Sequence, residues 1–361
     1  MISGQTRVEE LRRDLGECEW PQEGLESVPA CPVCGSPSRS ELFQNLTDRV
    51  FFCAPGQWSM FLCRACRSAY LDPRPKPEFI HLAYTRYFTH AESNDNGGDS
   101  RHASVRNFRR ALGNGYRNWR YGTHMEPSLK LGIPVAYVLS RYRRVIDADM
   151  RLIPRAWAGG RLLDVGAGNG DYLLKARSAG WDVVGVEPDA EACAIARSAG
   201  LDVHNGGIDS LAVNQHQFDV VTINHVIEHV HDPRALLQQA FALLRPSGVL
   251  CIETPNVASR SSMRFGGSWY SLDPPRHLVV FNWDSLKMLI GEVGFECIRS
   301  VARNDQYANI VAKSRSILIG EDPEVSHKPL FRDHIEALFL ELTLGVAGGS
   351  SDFITLVARK S

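Results

Sequence analysis

The sequence predicts an α/β fold: a mostly parallel sheet with helices on both faces, preceded by a small cysteine-rich module. Three observations predict it. From residue 161 onward, short β-rich runs alternate with helical ones, the pattern of a parallel sheet whose crossovers are helices. A glycine-rich turn follows the first of those strands. Two C-x-x-C pairs, Cys31/Cys34 and Cys63/Cys66, stand well upstream.

The elements follow in order. RLLDVG (161–166) is a strand, and a helix then runs to Ala179. WDVVGVE (181–187) is the second strand, with a helix to Ala199. LDVHNG (201–206), FDVVTINHV (218–226) and GVLCIETP (248–255) are the next three, with a helix through Leu244 between the last two. FITLVARK (353–360) is a last strand, expected at the sheet edge. Upstream, residues 1–28 read as an extension with one short helical pattern, Val8–Leu15. Residues 29–75 form the cysteine module. The run Asp72-Pro-Arg-Pro-Lys-Pro77 marks its end, because closely spaced prolines favour extended backbone. Residues 76–158 form a linker region: a Tyr/Phe-rich stretch, a polar loop over Glu92–Ser100, then helix. The α/β domain occupies 159–361.

Composition bounds the function. With 361 residues, 44% hydrophobic and 22% charged, the chain can build a large domain and a smaller one. A net charge of −1 argues against a globally basic nucleic-acid binder. Arg101–Arg161 nevertheless carries thirteen Lys/Arg against three acids. That stretch suits an anionic acceptor or peripheral contact with an anionic membrane surface, and equally a solvated helical face. There is no apolar leader and no uncharged apolar run of the roughly 18–20 residues a span needs. The expectation is a soluble, cytoplasmic protein. Nine cysteines, an odd number, point to a reducing compartment and metal ligation, not a disulfide framework.

Cys31, Cys34, Cys63 and Cys66 supply four thiolates, with 28 residues between the pairs. Two such knuckles suit tetrahedral Zn²⁺. With every position filled by protein the metal is structural, lending folding energy to a segment too small for its own core. The bland alternative is four buried cysteines by chance. Cys53 is a bystander between the pairs.

The sharpest motif is Leu163-Asp-Val-Gly-Ala-Gly-Asn-Gly170, between a strand and a helix. Its glycines permit a tight turn and a close approach of ligand to backbone. Glu187 ends the next strand, 21 residues after Gly166, placed to accept both hydroxyls of a ribose. D-V-G-A-G-N-G followed by V-V-G-V-E-P-D resembles class I methyltransferases that bind S-adenosylmethionine. A nicotinamide site would read G-x-G-x-x-G, with the third glycine one residue later. The resemblance covers about 161–300 and the last strand, and implies a Rossmann-like, mostly parallel seven-stranded sheet. It implies that Gly166 and Gly168 line the methionine and ribose, with Ala167, Gly170 and Pro188 in the same cradle. By the same likeness Asp164 lies near the methionine moiety, and Ile208 and Asp209 flank the adenine. Asn224 and His225 then end the fourth strand, where sulfonium and acceptor meet.

The order C-x-x-C, C-x-x-C, L-D-P-R-P, a Tyr-rich segment and this core is similar to zinc-ribbon-bearing bacterial small-molecule methyltransferases, some of which act on sugars. That likeness implies that Tyr84, Tyr87 and Phe88 shape the acceptor pocket, although packing between domains explains them equally well. His225-Val-Ile-Glu-His-Val-His-Asp-Pro233 resembles the E-H-V-x-D-P stretch of many small-molecule methyltransferases. His225 and His229 both fall there, His229 the more structural of the two. Phe265-Gly-Gly-Ser-Trp-Tyr-Ser-Leu-Asp-Pro-Pro-Arg-His277 suits a lid or pocket wall, with Trp269 and Tyr270 toward the acceptor. Related sugar C-methyltransferases carry Tyr-x-Glu-His at this point. Here the His is kept as His277 and the Glu is Arg276, which speaks against C-methylation and suits anion binding.

The expectation is therefore O-methylation of a small-molecule, glycan-type or nucleotide-linked acceptor, with His277 as the favoured base and His225 the second candidate. No nucleic acid is expected. The competing readings are an RNA or protein methyltransferase that uses the zinc module and basic helices as a platform, and a non-enzymatic scaffold.

Overall fold

The structure is a computed structural model, and the residues it describes are 19–85, 100–211, 216–303, 305–343 and 348–361. The helical pattern expected at Val8–Leu15, Cys18, Tyr87, Phe88 and all but the last residue of the 92–100 loop lie outside them.

The strands are β1 (Leu25–Glu26), β2 (Arg39–Leu46), β3 (Trp58–Cys63), β4 (Ala69–Leu71), β5 (Arg74–Pro75), β6 (Arg161–Val165), β7 (Asp182–Glu187), β8 (Asp202–Asn205), β9 (Phe218–Asn224), β10 (Leu244–Pro255), β11 (Val279–Val280), β12 (Phe295–Arg303) and β13 (Phe353–Lys360). The helices are α1 (Ser100–Tyr121), α2 (Gly132–Val138), α3 (Ser140–Asp149), α4 (Asp171–Ser178), α5 (Ala190–Ser198), α6 (Pro233–Leu243), α7 (Arg260–Phe265), α8 (Trp283–Val293), α9 (Tyr307–Leu318) and α10 (Phe331–Thr343). The chain divides into two compact units. One holds the described residues before 86, with 225–238 and those of 253–356; the other holds those of 100–224, with 239–252 and 357–361.

The large sheet runs β8-β7-β6-β9-β10-β13-β12. Strand β6 pairs in parallel with β7 and β9, and β7 with β8. Leu162, Leu163, Val220 and Val221 are fully buried on these strands, as expected where helices cover both faces. The last strand, β13, is not the edge strand expected from the sequence. It lies between β10 and β12, and the physical reason is its pattern: Ile354 to Ala358 are buried without alternation, which an edge strand with a solvated face would not tolerate.

In the same unit as β6–β9, α1 to α3 fold on one another through the charges that the sequence left unassigned. Asp147 accepts from the hydroxyls of Tyr116 (3.0 Å) and Tyr121 (2.7 Å). Asp149 pairs with Arg117 (2.9 Å) and Lys175 (2.6 Å). Gly132 sits so close to the α1 backbone that a Cβ there would lie 1.8 Å from the Leu112 carbonyl oxygen. Part of the basic excess is thus neutralised internally. Arg106, Arg109 and Arg110 stay on an exposed face of α1.

In the other unit, β11-β4-β3-β2 form a four-stranded sheet. The strand that ends at Cys63 therefore shares a sheet with the 279–280 segment, through β3–β4 and β4–β11 pairing. The two knuckles are hydrogen-bonded alike. Gly35 N donates to Cys31 O (2.8 Å) as Arg67 N donates to Cys63 O (3.0 Å), and Cys31 N and Cys63 N each reach a serine carbonyl five residues on (2.9 Å). Both turns close through a left-handed residue, Gly35 at φ 72° and Arg67 at φ 62°.

Candidate functional site

The glycine turn connects β6 to α4, with Gly166, Gly168 and Gly170 all at positive φ (75°, 55° and 88°). A Cβ at Gly168 would meet nothing within 4 Å, whereas one at Gly170 would fall 2.4 Å from Leu201 Cδ1. The two glycines serve different ends: the first leaves open space above the backbone, and the second lets α4 pack closely. Glu187 closes the cradle. Its carboxylate accepts from Gly168 N (2.8 Å) and Asp189 N (2.9 Å). Burial raises its pKa, and those two N–H donors oppose the rise. Asp189 also caps α5, accepting from Glu191 N and Ala192 N.

Asp164 lies at the end of β6 with no exposure. One oxygen takes the Thr222 hydroxyl (2.7 Å) and the Arg151 guanidinium. The other has no hydrogen-bond partner among the described residues. Burial pushes this carboxyl up, against the pull of Arg151, to about 6. An orphaned buried acceptor beside an open glycine cradle and the Glu187 carboxylate fits a nucleoside cofactor with a cationic end. Ile208 is buried in the short turn 208–210 that follows β8, next to Asp209.

A second site belongs to the other unit. A cavity of about 450 Å³ is lined by residues including His225, Glu228, His229, Tyr270 and His277. His225 adopts φ 55°, an uncommon conformation for a residue with a Cβ. Its Nδ1 lies 3.2 Å from Glu228 Oε1, its Nε2 3.6 Å from Glu253 Oε1. Burial disfavours the imidazolium, but the two carboxylates more than offset this and raise His225 to about 9. His225 is therefore a cation near neutral pH, which does not suit a base. Glu253 is clamped by Arg303 (2.7 and 2.5 Å) and Thr355 Oγ1 (2.5 Å).

His277 is different. Its Nδ1 lies 2.9 Å from the Ser271 carbonyl oxygen. A carbonyl only accepts, so Nδ1 carries the proton and Nε2 keeps its lone pair. His229 follows the same rule: its Nδ1 lies 3.1 Å from Arg276 O and 3.0 Å from Tyr84 Oη. The two rings meet edge to face at 4.6 Å.

The four cysteines also converge. Cys31 Sγ lies 3.6 Å from Cys66 Sγ, Cys34 Sγ lies 3.5 Å from Cys63 Sγ, and all four sulfurs fall within 4.8 Å of one another. Metal–sulfur bonds of about 2.3 Å in a tetrahedron would set the sulfurs ~3.8 Å apart. The cluster could bind a metal.

The strand order of the large sheet and the glycine turn after its first strand are those of a Rossmann-like class I methyltransferase fold. Residues 137–300 match the family described as a methyltransferase domain. A ubiquinone biosynthesis O-methyltransferase from Haemophilus ducreyi is 34% identical over 116 residues, 29% of this chain and 49% of that protein. Its namesake from Azorhizobium caulinodans is 32% identical over 156 residues, 39% of this chain and 61% of that protein. The chain spans about half the length of the curated relatives it matches. Among solved structures, a SAM-dependent methyltransferase from Archaeoglobus fulgidus is 21% identical, covering 62% of this chain and 93% of that one with a TM-score of 0.39. At so low a score, the fold rests on the strand order and the family match.

The matched span holds Asp164, the glycine turn, Glu187 and His277, and the four cysteines lie ahead of it. Arg276, expected to meet an anionic acceptor, does not. It has no exposure and is saturated by Asp48, Asp273 and Ala83 O. Trp269 is likewise buried and does not line the cavity; Tyr270 does. Tyr84 reaches the site through His229. Sequence reasoning missed Glu228, Glu253 and Arg303. Glu228 had a signal, being the acid beside His229 in the E-H-V stretch; Arg303 had none. No described helix is long and apolar enough to cross a membrane.

Proposed function

We propose that the chain is an S-adenosylmethionine-dependent methyltransferase that O-methylates a small hydroxylated acceptor. The observation that carries the acceptor half is the tautomer of His277. An alcohol is a poor nucleophile while it holds its proton. The Ser271 carbonyl fixes the proton of His277 on Nδ1, so Nε2 is the atom that takes the acceptor's. Glu228, ionised and held to about 2 because His225 and the neighbouring histidines outweigh its burial, favours the imidazolium that results. His225, already charged, orients and does not accept.

Asp164, Gly166, Gly168, Glu187 and Ile208 would hold the cofactor. Bound there, S-adenosylmethionine supplies a methyl group on a cationic sulfur that leaves as a neutral thioether. The curated relatives are named as O-methyltransferases, which supports an oxygen acceptor over nitrogen or carbon. The cysteine cluster holds a structural zinc ion, a closed site with no open position.

Binding of S-adenosylmethionine by calorimetry, followed by methyl transfer to a panel of diols, phenols and sugar hydroxyls, tests the reading. His277→Ala should lower kcat by roughly 10²–10⁴-fold, the range for a lost general base, with cofactor affinity retained. Near-normal kcat in that variant would remove His277 from the reaction.

A further inference from the structure

We propose that Glu228, His229 and His277 form a binding site for a divalent transition-metal ion, separate from the cysteine cluster. The proposal rests on reading this cavity as the acceptor site. It goes further by naming what activates the acceptor oxygen when the site is loaded.

Backbone pairing brings the three groups together. Leu278 N (2.8 Å) and Val279 N (3.2 Å) both donate to the Glu228 carbonyl, and Arg276 O receives His229 Nδ1. One ligand atom from each of the three residues then lies within 4.8 Å of the other two. Both Nδ1 atoms are committed to backbone carbonyls, so the atoms left to ligate are the two Nε2 lone pairs. Hydrogen-bonding the far nitrogen to a carbonyl is how proteins orient a metal-binding imidazole. The Glu228 carboxylate is held in turn by the Thr254 hydroxyl (2.9 Å) and His225 Nδ1 (3.2 Å).

The His225 cation lies 3.2 Å from Glu228 Oε1 and offsets that carboxylate, while the two imidazole lone pairs are left for an ion to take up. Two imidazoles with one carboxylate suit Zn²⁺, Co²⁺ or Fe²⁺, not the all-oxygen sets preferred by Mg²⁺ and Ca²⁺. Three protein ligands leave coordination positions open, and the 450 Å³ cavity lies beside them. The acceptor class this favours carries a hydroxyl with a second oxygen beside it, able to chelate. The His277 lone pair that would take a proton is the one that would bind the ion. The two uses are exclusive, and experiment separates them.

The test is metal analysis of full-length protein purified without chelator, with Co²⁺ titration of chelator-treated protein followed by visible absorption. We expect two metal equivalents per chain. Cys34→Ser should remove the one with intense sulfur-to-cobalt charge transfer and keep the other. His277→Ala and Glu228→Gln should each weaken the second, nitrogen- and oxygen-bound equivalent by about 100-fold or more and spare the first. Glu228→Gln, nearly isosteric, carries the test if His277→Ala does not fold. A single equivalent that follows the cysteines, or unchanged Co²⁺ affinity in both variants, overturns the site. Full turnover by protein holding only the cysteine-bound metal also overturns it, and leaves His277 as base. Failure to bind S-adenosylmethionine overturns the methyltransferase reading instead, whatever the metal content.

Discussion

Arg276→Met tests whether this arginine is a keystone of the fold. Its guanidinium donates from Nε and Nη2 to Asp273 (3.0 and 2.6 Å), and from Nη1 and Nη2 to Asp48 (3.0 and 2.6 Å). A further bond from Nη1 reaches Ala83 O at 2.9 Å. Asp48 in turn accepts from the backbone N–H groups of Val50, Phe51, Cys53 and Ala54. Methionine leaves two buried carboxylates without their cation, a loss that costs about 3–5 kcal/mol. The pH dependence has a definite sign. Burial alone would raise Asp48, but Arg276 and the N–H donors hold it at about 2. A depressed folded-state pKa contributes stability above the unfolded value of about 3.9 that is lost as pH falls toward 2. That shift corresponds to roughly 2 kcal/mol at neutral pH. Without its cation Asp48 is raised by burial in the variant, so the difference between wild type and variant should be largest at neutral pH and above and shrink as pH falls through that raised pKa toward 2. Urea unfolding at pH 7 and pH 3.5 measures it. Unchanged unfolding with weakened acceptor binding would refute the structural role and return Arg276 to the acceptor.

Three further outcomes follow from the same geometry. Glu187→Ala should weaken S-adenosylmethionine by the 1.5–3 kcal/mol of a charge-assisted hydrogen bond, roughly 10- to 150-fold in Kd, read by calorimetry; equal affinity would remove Glu187 from the cofactor site. Gly170→Ala should destabilise the chain by about 1–3 kcal/mol, because φ is +88° and the new Cβ would press on Leu201; unchanged thermal unfolding would refute the packing argument. Cys34→Ser should lower metal content and stability together, and a variant that kept both would leave the cysteines as core residues only.

What the sequence made legible, and what it did not, divides along the range of the forces involved. The glycine turn was readable because its geometry is local. A strand, a turn that needs positive φ at Gly166, Gly168 and Gly170, and an acid one strand later all lie within the 27 residues 161–187, and the turn is set by backbone sterics. The cysteine cluster was readable because thiolate ligands come in short spaced pairs. The position of β13 was not, since an apolar strand reads the same at an edge or inside until its neighbours are known. Arg276 shows the limit most clearly. Its partner Asp48 is 228 residues away, in a stretch where an isolated Asp followed by Arg and apolar residues gave no reason to expect an ion pair. A cation next to His277 therefore read as a ligand-binding group. The same distance hid the role of Glu228. In sequence it is the residue before His229. Only when the 278–279 backbone pairs with its carbonyl does His277 come beside it, and a histidine-rich loop acquires the geometry of a binding site.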